Sequence, residues 1–223
     1  MRTEPLFNLK QNKMSRSKKV TIGLIITGIL SLILVLITVY GQFTGTFLIK
    51  LTYSAERKGI LLSEDVEFTE GKERLILNPI SNVEDMIEEN IVKIDEIFAS
   101  TGGQFVDPDN KNYVAYTFYI KNSGQEVVDV RYDLMITKAH KNLDKALKII
   151  MYQDDLIGEP LEKDYYVKQE NSTHLGSKRF ADFKPEDMKK ITIIAFIDGE
   201  LSTPEMLGGA VRINLVFTIE TAD

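Results

Sequence analysis

Residues Tyr113 to Ile136, YVAYTFYIKNSGQEVVDVRYDLMI, decide the fold. The first run, Tyr113 to Lys121, is almost all aromatic or β-branched, which is the composition of a strand buried on both faces. Asn122-Ser123-Gly124 is turn chemistry. Val128, Val130, Tyr132, Leu134 and Ile136 then alternate with Asp129, Arg131 and Asp133, as in a strand with one face in a core and the other in water. The two runs are expected to form a β-hairpin with a slightly long loop.

Strand periodicity continues on both sides. Toward the C-terminus, Asn142 to Ala146 reads as a short helical turn and Lys148 to Tyr152 as a strand. The polar stretch Gln153 to Lys178 reads as a long excursion. Ile191 to Ile197 is a strand, and Val211 to Ile219 places Val211, Ile213, Leu215, Phe217 and Ile219 on one face of another. Toward the N-terminus, Thr46 to Tyr53 alternates Phe47, Ile49, Leu51 and Tyr53. Gly59 to Leu62 is a short apolar stretch, and Arg74 to Leu77 is a short strand stopped by Asn78 and Pro79. Ser81 to Phe98 fits two periods. Val83, Met86, Ile87, Ile91, Ile94 and Phe98 follow helical spacing behind a Ser81/Glu84 capping box, yet Ile91 to Ile97 alternates. One or two helical turns around Asn82 to Glu89, followed by extended chain, are expected there, then a loop marked by Gly102, Gly103 and Pro108. Seven to nine strands with few helices predict an all-β domain, an antiparallel, jelly-roll-like β-sandwich.

Ahead of this domain, no charged residue occurs from Val20 to Ile49. The 21 residues Val20 to Tyr40 are apolar all round and span roughly 31 Å, the thickness of a bilayer's hydrocarbon core. Tyr40 falls where an interfacial aromatic belongs. A cleaved signal peptide has a shorter apolar core and a small-residue site after it, and Val39 with Gly41 is a poor one, so a retained anchor is expected. Arg16, Lys18 and Lys19 abut the N-terminal end and orient it toward the cytoplasm. The expected organisation is a basic cytoplasmic tail (1–19), a single transmembrane helix (20–40) and an extracellular domain (41–223).

Charge divides in the same way. The first 19 residues carry six basic residues against Glu4 alone, and the remainder holds 21 basic against 32 acidic residues. The tail suits an anionic lipid surface, and the acidic remainder argues against nucleic acid as a partner. The chain has no cysteine, which excludes disulfides, thiolate metal sites and a cysteine nucleophile.

Catalytic signatures are absent from the sequence. His140 and His174 are its two histidines, and neither lies in an H-E-x-x-H motif. There is no G-x-S-x-G, P-loop or G-x-G-x-x-G. Asp107-Pro108-Asp109 opens like a calcium loop, but Lys111 stands where a third oxygen is needed and the closing glutamate is missing. Asp107 and Asp109 are therefore weak calcium candidates, read first as a polar turn before a strand. Glu64, Asp65 and Glu67 read as a solvated face, and the tyrosines of 113–119 as core rather than a sugar platform. No cofactor is expected.

Several stretches resemble the camelysin and TasA-like group of exported surface proteins of Gram-positive bacteria. They are Tyr113 to Gly124 (YVAYTFYIKNSG), Leu143 to Ile149 (LDKALKI), Phe183 to Ile197 (FKPEDMKKITIIAFI) and Asp198 to Ile219, including the Leu207-Gly208-Gly209 turn. The resemblance implies a jelly-roll-like sandwich on the cell surface that assembles through exchange or addition of strands. Some members carry a metallopeptidase label, but this chain has no metallopeptidase motif. The expected function is therefore non-enzymatic: a membrane-anchored surface protein acting in adhesion, envelope organisation or matrix assembly. Its partners would be the lipid bilayer and other copies or other surface proteins. The alternatives are a ligand- or cation-sensing ectodomain paired with another membrane protein, and a hydrolase of unrecognised type.

Overall fold

The computed structural model describes residues 16–42, 45–77, 84–86, 113–154, 156 and 162–220. The chain divides into two compact units, 1–42 and 43–223. In the first, helix α1 (Arg16–Gln42) has 27 residues, and its segment Ser17–Val35 is long and apolar enough to cross a membrane. The side chains described from 17 to 35 are all exposed, as apolar side chains facing lipid would be. The threonine hydroxyls are satisfied within the helix: Thr21 donates to Ser17 O at 3.1 Å and Thr27 to Gly23 O at 2.9 Å.

The second unit is a β-sandwich. Its strands are β1 (Thr46–Leu51), β2 (Ile60–Ser63), β3 (Arg74–Leu77), β4 (Tyr113–Asn122), β5 (Val128–His140), β6 (Leu147–Asp154), β7 (Glu162–Val167), β8 (His174–Phe183), β9 (Met188–Ile197) and β10 (Ala210–Glu220). One sheet has the order β3-β1-β10-β5-β8 and the other β2-β4-β9-β6-β7. All strand pairs are antiparallel except β1 with β10, where Thr46 to Leu51 runs beside Arg212 to Phe217 in parallel.

The inner faces follow from alternation. Val128, Val130, Tyr132, Leu134 and Ile136 of β5 and Ile213, Leu215 and Phe217 of β10 meet Phe118 and Ile120 of β4 and Ile191 and Ile193 of β9. Phe217 sits edge-on to Phe118 and Tyr132, with ring centroids 6.1 and 5.8 Å away. β4, β6 and β9 are apolar on the opposite face too. There Tyr113, Ile150, Tyr152, Ile194 and Phe196 form a second buried cluster with Met86, whose backbone pairs with Ile197 and Gly199. The two-sided composition of Tyr113 to Lys121 thus has a structural cause.

The expected hairpin does not form. β4 and β5 lie in opposite sheets: β4 pairs with β2 and β9, and β5 with β8 and β10. The connection is a corner built on Asn122. Its buried Nδ2 donates to Phe183 O at 2.8 Å and to Glu126 O at 2.9 Å, and its Oδ1 accepts from Gly124 N–H at 2.9 Å. The corner nests on the turn before β2, where Ser123 N–H donates to Gly59 O at 2.9 Å. A Cβ on Gly124 would fall 2.0 Å from Lys58 O, so backbone meets backbone there.

Two further expectations are corrected. Gln153 to Lys178 is not an unbroken excursion, because it holds the end of β6, all of β7 and the start of β8. Its polarity comes from edge strands wetted along most of their length, with few buried residues such as Tyr166 and Leu175. Tyr53 does not continue β1 but opens the short helix α2 (Tyr53–Arg57), and its side chain is exposed. The 3-10 turn Leu143–Lys145 falls inside the expected Asn142 to Ala146 turn. Most of Ser81 to Phe98 lies outside the described residues, as do Asp107 and Asp109.

Candidate interaction surface

In a sandwich, functional surfaces include sheet edges, sheet faces and end loops. The two lateral edges are built differently. At the β2/β3 side a backbone bridge covers part of the β2 edge. Lys72 exchanges hydrogen bonds with Leu62 at 2.7 and 3.0 Å, and Leu51 N–H donates to Glu73 O at 2.9 Å. The returning loop is pinned by Glu64, which accepts from Tyr116 Oη and from Lys72 Nζ, both at 2.6 Å. Those bonds hold the Glu64 carboxyl below its usual range, the Lys72 bond most strongly. Glu64 is exposed, as a solvated face predicts, and also ties the loop to Tyr116 and Lys72.

At the other side, β7 and β8 each pair with one strand only among the described residues. Side chains, not backbone, bridge the two sheets here. Lys178 of β8 holds Glu162 and Asp164 of β7 at 2.7 Å each. Gln153 Nε2 donates to Asp164 at 2.7 Å and to Tyr132 Oη at 3.0 Å, and the Tyr132 and Tyr166 hydroxyls share a hydrogen bond at 2.6 Å. Burial is the main cause that raises the pKa of both phenols above the ordinary tyrosine value, so both stay neutral. Burial alone would lower the pKa of Lys178, but its bonds to Asp164 and Glu162 outweigh that and hold it raised. Gly176 makes room for the ring of Tyr166, since a Cβ there would fall 2.3 Å from Tyr166 Cε1.

The staple fixes β7 and β8 while their outer backbone edges stay without a strand partner among the described residues. Beside that edge, Tyr165 is 63% exposed and Val167 47%, with Lys163 Nζ 4.8 Å from the Tyr165 ring centre. A six-residue and a ten-residue strand, braced by these side chains, thus present Tyr165 and Val167 to solvent. The sequence gives no signal for it, because Gln153, Asp164, Tyr166, Gly176 and Lys178 lie in the polar stretch that lacks strand periodicity.

The other sequence candidates do not converge. Arg16, Lys18 and Lys19 lie in the first turn of α1, with the Lys18 and Lys19 side chains exposed. His174 is at the start of β8, its Nε2 3.1 Å from Asp133 Oδ1, and His140 closes β5. Among the described residues no three His, Cys, Asp or Glu side chains group as metal ligands would.

No family model matches this chain, and neither does any curated protein. Among solved structures it is similar to the ASH/PapD-like domain 7 of human CEP192, at 7% identity and a TM-score of 0.20 over 74% of this chain and 87% of that one. It is similar also to TmCBM61 in complex with β-1,4-galactotriose, at 10% identity and a TM-score of 0.21 over 70% and 86%. The N-terminal domain of PorA matches at 9% identity and a TM-score of 0.20 over 70% and 96%. Likeness of this degree carries no functional argument.

Proposed function

We propose that this protein is a membrane-anchored cell-surface interaction protein whose sandwich binds other protein chains along the β7/β8 edge. The supporting observation is that, among the described residues, β7 and β8 each pair with one strand only and are braced from within by side chains, whereas on the other side a backbone bridge from Lys72 to Leu62 covers part of the β2 edge. Helix α1 supports the anchor, and the basic residues Arg16, Lys18 and Lys19 support a cytoplasmic N-terminus. The resemblance to the camelysin and TasA-like group supports assembly with further copies or with other surface proteins, in adhesion, envelope or matrix. Main-chain pairing would supply affinity, and Tyr165 and Val167 specificity.

The test uses residues 43–223, the unit that contains the whole sandwich core. The expected result is concentration-dependent assembly in sedimentation and electron microscopy. Replacing both Tyr165 and Val167 by Lys should abolish it with the unfolding midpoint unchanged, since edge lysines block strand addition. A protein that stays monomeric at millimolar concentration and captures no surface protein from its source cells refutes the reading.

A further inference from the structure

The outer face of the sheet β3-β1-β10-β5-β8 treats its cations in two ways. On the β5/β8 half, Arg131 and Arg179 stand directly opposite each other, and acids balance them. Arg131 pairs with Asp133 at 2.8 Å, and Arg179 pairs with Asp129 and, at 3.2 Å, with Glu220. On the other half, Lys50 of β1 stands directly opposite Arg74 of β3. Like charges so placed repel. Neither has an acidic partner among the described residues. Glu73, next to Arg74, hydrogen-bonds Glu56 of α2 instead. Around the two cations lie Leu48, Asn214 and Val216, and Ile76, opposite Leu48, is 56% exposed.

The loop between β2 and β3 has the complementary make-up. Glu64-Asp65-Val66-Glu67-Phe68-Thr69-Glu70 interleaves acids with apolar residues. The loop is held in shape from within. Asp65 Oδ1 accepts from Thr69 N–H at 3.2 Å and from Thr69 Oγ1 at 3.3 Å, and Glu64 is tied to Tyr116 and Lys72. Phe68 takes a left-handed φ of 53°, unfavourable for an aromatic residue, with its ring centre 6.0 Å from Lys121 Nζ. Strain of this kind persists only where the surroundings enforce it. The resulting tip presents Val66, 48% exposed, with Glu67 and Glu70 exposed beside it. Neither acid forms an ion pair among the described residues.

Tip and face adjoin along the chain, because Lys72 closes the loop two residues before Arg74. Adjoining patches that complement each other suit a two-fold axis, on which each copy gives and receives the same contact. We infer that the protein forms a two-fold dimer in which the β2–β3 loop of each copy docks on the β1/β3 face of the other. Glu67 and Glu70 meet Lys50 and Arg74, and Val66 packs on Ile76 and Leu48. The partner's acids thereby balance a cation pair that the fold itself leaves unbalanced. β3 and β8 are opposite margins of this sheet, so a dimer joined here leaves the β7/β8 edge of each copy free.

The chain has no cysteine, so introduced ones report cleanly. Full-length Val66→Cys and a size-tagged full-length Ile76→Cys are mixed in nonionic detergent and oxidised gently. The expected product is a disulfide-linked heterodimer, which a bridge within one copy cannot produce. Sedimentation should show the parent as a dimer at high micromolar concentration. Lys50→Glu should weaken that dimer by about tenfold or more, since it sets like charge against Glu67 and Glu70. The same change turns the repulsion of Arg74 into attraction, so the urea midpoint should not fall and misfolding cannot explain the loss. Adding Glu67→Lys to Lys50→Glu should restore the dimer. Tyr165→Lys with Val167→Lys should leave it intact, which separates this contact from the edge surface. A parent that stays monomeric, a dimer without the 66–76 bridge, one indifferent to Lys50→Glu, or one that Glu67→Lys does not restore overturns the proposal.

Discussion

Replacing Asn122 by Ala should cost the sandwich about 3 kcal/mol. Asn122 is fully buried and makes three hydrogen bonds, to Phe183 O, to Glu126 O and from Gly124 N–H. The bonds to Glu126 and Gly124 lie at the partly buried rim, where water replaces the lost partner, so each contributes about 0.5–1 kcal/mol. The Phe183 carbonyl is buried with its bond, and leaving it unsatisfied costs about 1–3 kcal/mol. For a domain of this size that lowers Tm by roughly 6–12 °C. Ser123→Ala, one residue away on an exposed side chain, should stay within about 0.5 kcal/mol of the parent. Asn122→Asp should be worse than Ala at neutral pH, because it turns a carboxylate toward two carbonyl oxygens. It should recover partly on acidification, when the protonated acid can donate to one of them. Urea unfolding of residues 43–223 measures all three variants. A loss below about 1 kcal/mol for Asn122→Ala would show that the backbone approach of Gly59 and Gly124 alone sets the sheet-to-sheet corner.

Three other outcomes follow from the same geometry. Gly176→Ala should destabilise by about 1–3 kcal/mol because its Cβ collides with the Tyr166 ring, and a double-mutant cycle with Tyr166→Ala should show the two coupled. Phe217→Ala should cost about 3–5 kcal/mol in urea unfolding, since the ring is wholly buried between Phe118 and Tyr132. Asp129 accepts the Asp182 amide at 2.8 Å and pairs with Arg179, and the amide first and the guanidinium second hold its carboxyl below the ordinary aspartate range. A carboxyl lowered on folding stabilises above its unfolded pKa and loses that contribution as pH falls through the folded value. Glu64, lowered from 4.5 by Lys72 and then Tyr116, acts in the same direction. Urea midpoints should therefore fall from pH 6 to pH 3, and the gap between the parent and Asp129→Asn should narrow over that interval.

Local periodicity made most of the strands legible and the sheet order illegible. Val128 to Ile136 alternates because one face is buried, and no rearrangement of partners would alter that pattern. The choice between a hairpin and a sheet-to-sheet corner depends on what lies beside each strand. Asn122-Ser123-Gly124 reads as a turn in both cases, and only the burial of Asn122 against Phe183, 61 residues away, selects the corner. The parallel pairing of β1 with β10 is hidden for the same reason, because period two carries no strand direction.

The β7/β8 edge shows a deeper cause of illegibility. A strand that leaves one backbone edge and most of its side chains in water needs few apolar residues, so Glu162 to Val167 (EKDYYV) resembles loop sequence. What makes it a strand is tertiary: pairing with β6 in register from Lys148/Val167 to Gln153/Glu162, and the bonds from Lys178 and Gln153. Residues that hold such an edge in place are polar by necessity, since they bridge two sheets across a wet gap. A surface suited to strand addition is thus the part of a sandwich whose sequence is least strand-like, whereas Tyr113 to Lys121, the most strand-like segment, is committed on both faces to the protein's own interior.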